Sequence, residues 1–172
     1  TARERLLALE HQLESKGEST DPAVQGFRSL QDRLQFDPGI LSAFLSALTL
    51  DTGPVRFRTE AQLIRYAYGV ASTVGIWMCG VLGVQDDAAH AFAIDLGIGM
   101  QLTNVCRDVV EDAGRGRIYI PLPGAITAED ILRRGDRTRR AVAWQVDRTL
   151  DIADRYYASA DTGMAFLPWR AR

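Results

Sequence analysis

The stretch Gln101-Leu-Thr-Asn-Val-Cys-Arg-Asp-Val-Val-Glu-Asp112 decides the fold class. Its apolar residues Leu102, Val105, Cys106 and Val109 recur at helical spacing and pack one side of a helix. On that helix Asn104, Asp108 and Asp112 follow i, i+4, i+8, each step turning about 40° past a full circle and rising about 6 Å. One amide and two carboxyl groups therefore form a polar stripe, with Glu111 one turn from Asp108. Taken alone, an aspartate pair at this spacing is most often a solvated face. Here the upstream turns are apolar, with Phe92, Ile94, Leu96, Ile98, Met100 and Leu102, so the helix reads as buried. Like charges one turn apart repel, and the cost rises steeply inside a protein unless a cation offsets it. Mg²⁺ takes carboxylate oxygens and shares its remaining positions with water and phosphate. Arg107, Arg115 and Arg117 surround the stripe, and guanidinium groups match phosphate oxygens in a planar, bidentate way. Carboxyl pair and arginines together suit a metal–diphosphate site.

The helical period extends over almost the whole chain. Leu6, Leu7, Leu9 and Leu13 mark a first helix. Asp21-Pro22 and Asp37-Pro38 each read as N-cap and first helical position. Thr59 with Gln62 forms a capping box for a long helix to about Leu82, and a second long helix runs from about Asp86 to Ala113. Gly114 and Gly116 stop it, and Pro121 and Pro123 break the chain again. Thr127 caps a short helix over Ile131 and Leu132, and a last long helix covers about Arg137 to Ala160. No alternating stretch is long enough for a sheet, there is no internal repeat, and Arg117 to Pro121 reads as extended or irregular. Two long helices joined by a tight turn predict an antiparallel pair inside a helical bundle.

Composition agrees with one ordinary globular domain over residues 1–172: 47% apolar and 24% charged residues, with 20 basic and 22 acidic side chains and a net charge of −2. That balance gives no basic excess for nucleic acid. Cys79 and Cys106 lack metal-ligand spacing and read as small buried thiols in a reducing compartment. The opening Thr1-Ala2-Arg3-Glu4 is charged and helical, unlike a signal peptide. The most apolar run, Gly69 to Val84, falls short of the roughly 20 residues of a membrane span. A cytoplasmic location is expected, and Arg133-Arg134-Gly-Asp-Arg-Thr-Arg-Arg140, a solvated loop and helix start, offers a peripheral contact with anionic lipid. His11 and His90 read as non-catalytic.

A second informative stretch is Tyr66-Ala-Tyr-Gly-Val-Ala-Ser-Thr-Val-Gly-Ile-Trp77. Small residues at 67, 69, 71, 72 and 75 thin one side of the helix, which suits either close helix packing or an apolar tunnel. In the tunnel reading, Tyr66, Val70, Val74 and Trp77 are its wall.

These two stretches resemble the signatures of the squalene/phytoene synthase family, Y-x-Y-x-V-A-G-T-V-G and Q-L-T-N-I-x-R-D-x-x-E-D followed by R-G-R-x-Y-x-P. Here the latter continues as Arg115-Gly-Arg-Ile-Tyr-Ile-Pro121. Ser72 stands where the family often has glycine, and the tail Ser159-Ala-Asp-Thr-Gly-Met-Ala-Phe-Leu-Pro-Trp-Arg170 resembles bacterial phytoene synthases. The resemblance implies an all-α bundle around a central cavity and a Mg²⁺-dependent head-to-head condensation of two prenyl diphosphates. Two geranylgeranyl diphosphates would give phytoene through a cyclopropyl diphosphate. Mn²⁺ would be an alternative metal, and NADPH would be needed only by a squalene synthase. By motif position, Asp108 and Asp112, supported by Glu111, would bind the metal. Gln101, Asn104, Arg107, Arg115 and Arg117 would hold diphosphate, and Tyr66, Tyr119 and Arg117 would act at the reacting centre.

The family carries two acidic motifs on facing helices, and only the one at 108–112 is found. Asp51 and Asp86-Asp87 have the wrong spacing and context for the other. The chain is therefore expected to be an inactive fragment of an enzyme. Two alternatives remain: squalene or dehydrosqualene synthesis from fifteen-carbon substrates, and a non-catalytic relative acting as a binding or assembly protein.

Overall fold

The computed structural model describes residues 1–172 apart from residues 16, 85, 125 and 169–172, and the backbone alone at Glu14. The last two positions of the phytoene-synthase-like tail, Trp169 and Arg170, thus lie outside the described residues.

The architecture is all-α. Helices α1 (Ala2–Glu14), α2 (Pro22–Leu34) and α3 (Pro38–Leu50) lead to α4 (Glu60–Ala67), which passes through a π-helical turn (Tyr68–Ser72) into α5 (Thr73–Leu82). Then follow α6 (Ala89–Arg107), α7 (Val109–Gly114), α8 (Ala128–Arg133), α9 (Asp136–Thr162) and a closing 3₁₀ turn (Gly163–Phe166). The starts lie where the sequence signals them. Asp21 and Asp37 accept the backbone N–H of Ala23 and Gly39, both at 2.8 Å, ahead of Pro22 and Pro38. Thr59 pairs reciprocally with Gln62, and Thr127 with Asp130.

Two details depart from the sequence reading. The helix expected from Asp86 to Ala113 is divided at Asp108, whose φ of −99° and ψ of 11° leave the helical region. Because the Asp108 N–H still reaches Asn104 O (3.0 Å) and Asp112 N–H reaches Asp108 O (2.8 Å), the chain bends there without unwinding. The second departure is a pair of two-residue strands, β1 (Val55–Arg56) and β2 (Arg117–Ile118), running parallel with Val55 opposite Arg117. Strands this short carry no alternating pattern.

Helix α6 is the central element and packs against α4, the π-helical turn, α5 and α9. Its glycines permit that crowding. A Cβ on Gly97 would lie 2.6 Å from both Cα and N of Ser72, and one on Gly75 would lie 2.8 Å from Ala93 O. These contacts set the antiparallel register of α4–α5 against α6. Fully buried Ser72 adds a hydrogen bond from Oγ to Ile94 O at 2.7 Å, so the hydroxyl that replaces the family's glycine ties the two segments together. Leu63, Tyr66, Leu102, Val105, Ile118, Tyr119 and Ile120 belong to one buried apolar cluster beneath the 101–121 stretch. Cys79 and Cys106 are free thiols, the first buried and the second half-buried.

The register argument predicts that Gly97→Ala lowers unfolding stability by about 2 kcal/mol in urea titration, overpacking outweighing the roughly 1 kcal/mol of helix propensity that alanine gains. A variant as stable as wild type would show that α5 and α6 are not held by this contact.

Candidate active site

The short parallel ladder brings together residues from two distant loops. Phe57 N–H donates to Ile118 O at 3.0 Å, which sets the loop after α3 beside the loop after α7. The carboxyl of Asp51 consequently lies under two phenols. Tyr66 Oη donates to Asp51 Oδ2 at 2.8 Å, and Tyr119 Oη donates to Asp51 Oδ1 at 2.6 Å. The two rings stack with centroids 4.8 Å apart and 19° between planes. Phe57 covers both, its centroid 5.5 Å from Tyr66 and 5.6 Å from Tyr119. Burial, and then the Tyr119 hydroxyl and Asp51, push the Tyr66 phenol far above its ordinary value. Burial and the hydrogen bond to Asp51 push Tyr119 up to about 12. Both phenols are therefore neutral donors at neutral pH. Arg117 joins them by donating from Nη2 to the backbone carbonyl of Asp51.

Asp51 is the residue that the sequence reading set aside. It was judged by its spacing to other acids, whereas its contacts lie 15 and 68 residues away and leave no local signal.

The acidic stripe lies on the other side of Arg117. Asp112 is half-buried and lines a small hollow with Val105, Val109, Arg117, Tyr119 and Ile131. Its carboxyl is raised above the usual range by burial and then by Asp108, while Arg115 and Arg117 oppose the rise. Asp108, at the bend, is gripped by Arg107 through Nε to Oδ1 and Nη2 to Oδ2, both 2.7 Å, and that grip holds its carboxyl below the usual range. Gln101 and Asn104 lie half-buried on the preceding turns. Glu111 departs from the stripe: it is exposed, 2.6 Å from Arg115, and each neutralises the other. The structure thus joins Asp112, Arg117 and Tyr119 in one hollow, leaves Asp108 paired with Arg107 outside its lining, and leaves Glu111 and Arg115 on the surface.

Among the described residues no three acidic, histidine or cysteine side chains gather into a closed metal cage. The donors present nevertheless fit a hard cation shared with phosphate, since Mg²⁺ typically uses one or two carboxylates and completes its shell with water and phosphate oxygens. Two features make that fit specific. A cation would relieve the charge that burial and Asp108 disfavour on Asp112. Arg117 Nε is buried without a hydrogen-bond partner in the chain, a donor that an anion could occupy.

One turn before Asn104 on α6 lies Met100, and there an apolar groove of about 460 Å³ begins, running between α5, α6 and the end of α9. Val70, Val74, Met78, Leu96 and Met100 line it, and a stacked Phe92–Phe166 pair, 5.5 Å between centroids, stands at its far part. Val74, Met78, Leu96 and Met100 are exposed, so the groove is open along one side. Trp77 is not part of this wall. It turns to the opposite side and packs edge-on against Phe27 and Phe44, at 5.4 and 5.3 Å. No described helix is long and apolar enough to cross a membrane.

The chain is an all-helical bundle of the isoprenoid-synthase type, with a polar cluster at Asp112, Arg117 and Tyr119 and a separate apolar groove between α5, α6 and the end of α9. The fold matches the crystal structure of squalene synthase HpnC from Alicyclobacillus acidocaldarius with a TM-score of 0.80 and 25% identity, covering 99% of this chain and 66% of that one. The whole chain, residues 1–172, matches the squalene/phytoene synthase family, and it belongs to that family. It is 36% identical over 155 residues to the 15-cis-phytoene synthase of Enterobacter agglomerans, covering 88% of this chain and 52% of that protein. Against the 15-cis-phytoene synthase of Pantoea ananas it is 32% identical over 178 residues, covering 99% and 57%. The chain spans about half the length of the curated relatives it matches.

If Asp51 satisfies both buried phenols, Tyr119→Phe lowers stability by about 1 kcal/mol in chemical denaturation. Arg107→Ala, which removes only an exposed partner of Asp108, leaves the denaturation midpoint unchanged. A harmless Tyr119→Phe would contradict the hydrogen-bond assignment.

Proposed function

We propose that the complete gene product condenses two prenyl diphosphates head to head in the presence of Mg²⁺. Residues 1–172 would act as a single domain carrying part of the site. The observation that carries this reading is that Asp112, Arg117 and Tyr119 line one small hollow, while α6, which leads into the Asp108–Asp112 stretch, lines a separate apolar groove. Asp108 and Asp112 would hold the metal, which when bound neutralises charge on a departing diphosphate. Arg117, with its unpartnered Nε, would take a phosphate oxygen, and Arg107 would do so by releasing Asp108. Gln101 and Asn104 would support the diphosphate from the same helix. Glu111 and Arg115, paired with each other on the surface, would act only at the outer edge.

The apolar groove suits a hydrocarbon chain, and because an allylic cation must be kept from water, its open side would be covered in the complete gene product. Tyr66 and Tyr119, stacked on each other and covered by Phe57, would act at the reacting centre as a fixed aromatic wall. Two geranylgeranyl chains joined through a cyclopropyl diphosphate would yield phytoene, a reading favoured by the names of the bacterial relatives. The fold neighbour, a squalene synthase, keeps fifteen-carbon substrates as the second reading, and only that product would call for NADPH. A purely non-catalytic role is the reading that the unpartnered Arg117 Nε beside Asp112 favours least. A hydrocarbon product would also suit peripheral contact with a lipid surface.

Incubating the complete gene product with geranylgeranyl and farnesyl diphosphates and Mg²⁺ tests the reading. Phytoene should form from the former, and Asp112→Asn should lower kcat about a hundredfold or more while leaving the fold intact. Absence of any C1–C1′ coupled product from either substrate would overturn it.

A further inference from the structure

We propose that Asp51 is a positioning residue of this site: it fixes the stacked pair Tyr66–Tyr119 with its side chain and Arg117 with its backbone. The inference rests on the condensation reading for its consequence but not for its geometry. Each carboxyl oxygen takes one phenol, at 2.8 and 2.6 Å, and the two donors come from α4 and from the segment after β2. The residue itself is rigidly held. It closes α3, and its N–H reaches the carbonyls of Leu48 and Thr49. Its own carbonyl receives Arg117 Nη2, which leaves Arg117 Nε without a partner beside the hollow that Asp112 lines. One residue thus sets the aromatic and the cationic halves of the site relative to each other.

A merely packed pair of rings would not need this arrangement. Tyr66 and Tyr119 are both 5% exposed, and phenylalanine would fill the same space without a buried hydroxyl or a carboxyl beneath it. What the carboxyl adds is direction. It draws both hydroxyls to one point and so holds the rings 19° from parallel. With the hydroxyls engaged by Asp51 and the rings packed on each other and on Phe57, the pair forms a fixed, neutral wall beside Arg117. Asparagine at position 51 tests this selectively. Its amide oxygen can accept from one phenol, while its NH₂ faces the other and cannot accept. The backbone carbonyl that holds Arg117 is retained.

The experiment compares the wild-type complete gene product with Asp51→Asn and Asp51→Glu, reading steady-state kinetics with prenyl diphosphates and a tyrosinate absorbance titration. We expect Asp51→Asn to lower kcat about tenfold or more with KM within about twofold, the pattern of misplaced rather than missing groups. Asp51→Glu, which keeps two acceptors, should recover part of the loss. Removing the negative charge beneath the phenols should move the late tyrosine ionisations to lower pH. That difference should vanish in a Tyr66→Phe/Tyr119→Phe background. Wild-type kcat in Asp51→Asn, or an unmoved tyrosine titration, would overturn the proposal. If the wild-type protein turns over no prenyl diphosphate, the condensation reading fails, and the titration alone then decides whether Asp51 orients the pair.

Discussion

Everything at this site depends on how closely α4–α5 approaches α6. Helices meet at this distance only where side chains are absent, and Gly75 and Gly97 supply those gaps. Alanine at Gly97 would push against Ser72 backbone atoms, not against the end of a flexible side chain. The contact fixes the register, and the register decides which residues share a layer. It sets Tyr66 beside the 101–105 turns of α6, within reach of the loop that carries Tyr119. Along α6 the groove-lining Leu96 and Met100 precede the polar Asn104 and Asp108 at four-residue steps.

Two kinds of chemistry are thereby held a few ångströms apart. On one side of Arg117 lies a neutral aromatic pocket, closed by Phe57 and tied to Asp51. On the other side lies a carboxyl whose ionised form the protein disfavours. The carboxyl of Asp112 and the unpartnered Arg117 Nε meet in one hollow, and the same bundle carries an apolar groove along α5 and α6.

The helical framework was legible because its signals are local. Asp21-Pro22, Asp37-Pro38, Thr59 with Gln62, and Thr127 each announce a helix start within four residues, and each holds. What escaped the sequence depends on distance or on a shift of phase. Asp51 meets its partners through loops whose pairing spans only two residues on each strand. Of the wall expected from Tyr66, Val70, Val74 and Trp77, only the two valines line the groove: Tyr66 stacks on Tyr119, and Trp77 packs against Phe27 and Phe44, with the π-helical turn at Tyr68–Ser72 between them. The bend at Asp108 keeps a hydrogen bond on each side, to Asn104 O and from Asp112 N–H, and leaves no periodicity signal, while Glu111 pairs with Arg115 one turn on.

The central claim is that Asp108 and Asp112 share a divalent cation with a diphosphate held by Arg117. Anomalous diffraction from crystals of the complete gene product grown with Mn²⁺ and inorganic pyrophosphate tests it most directly. The account predicts a metal peak about 2.1 Å from carboxyl oxygens of both aspartates, with a phosphate oxygen against Arg117 Nε. Pyrophosphate bound elsewhere, or carboxyl groups of Asp108 and Asp112 with no metal between them, would contradict it.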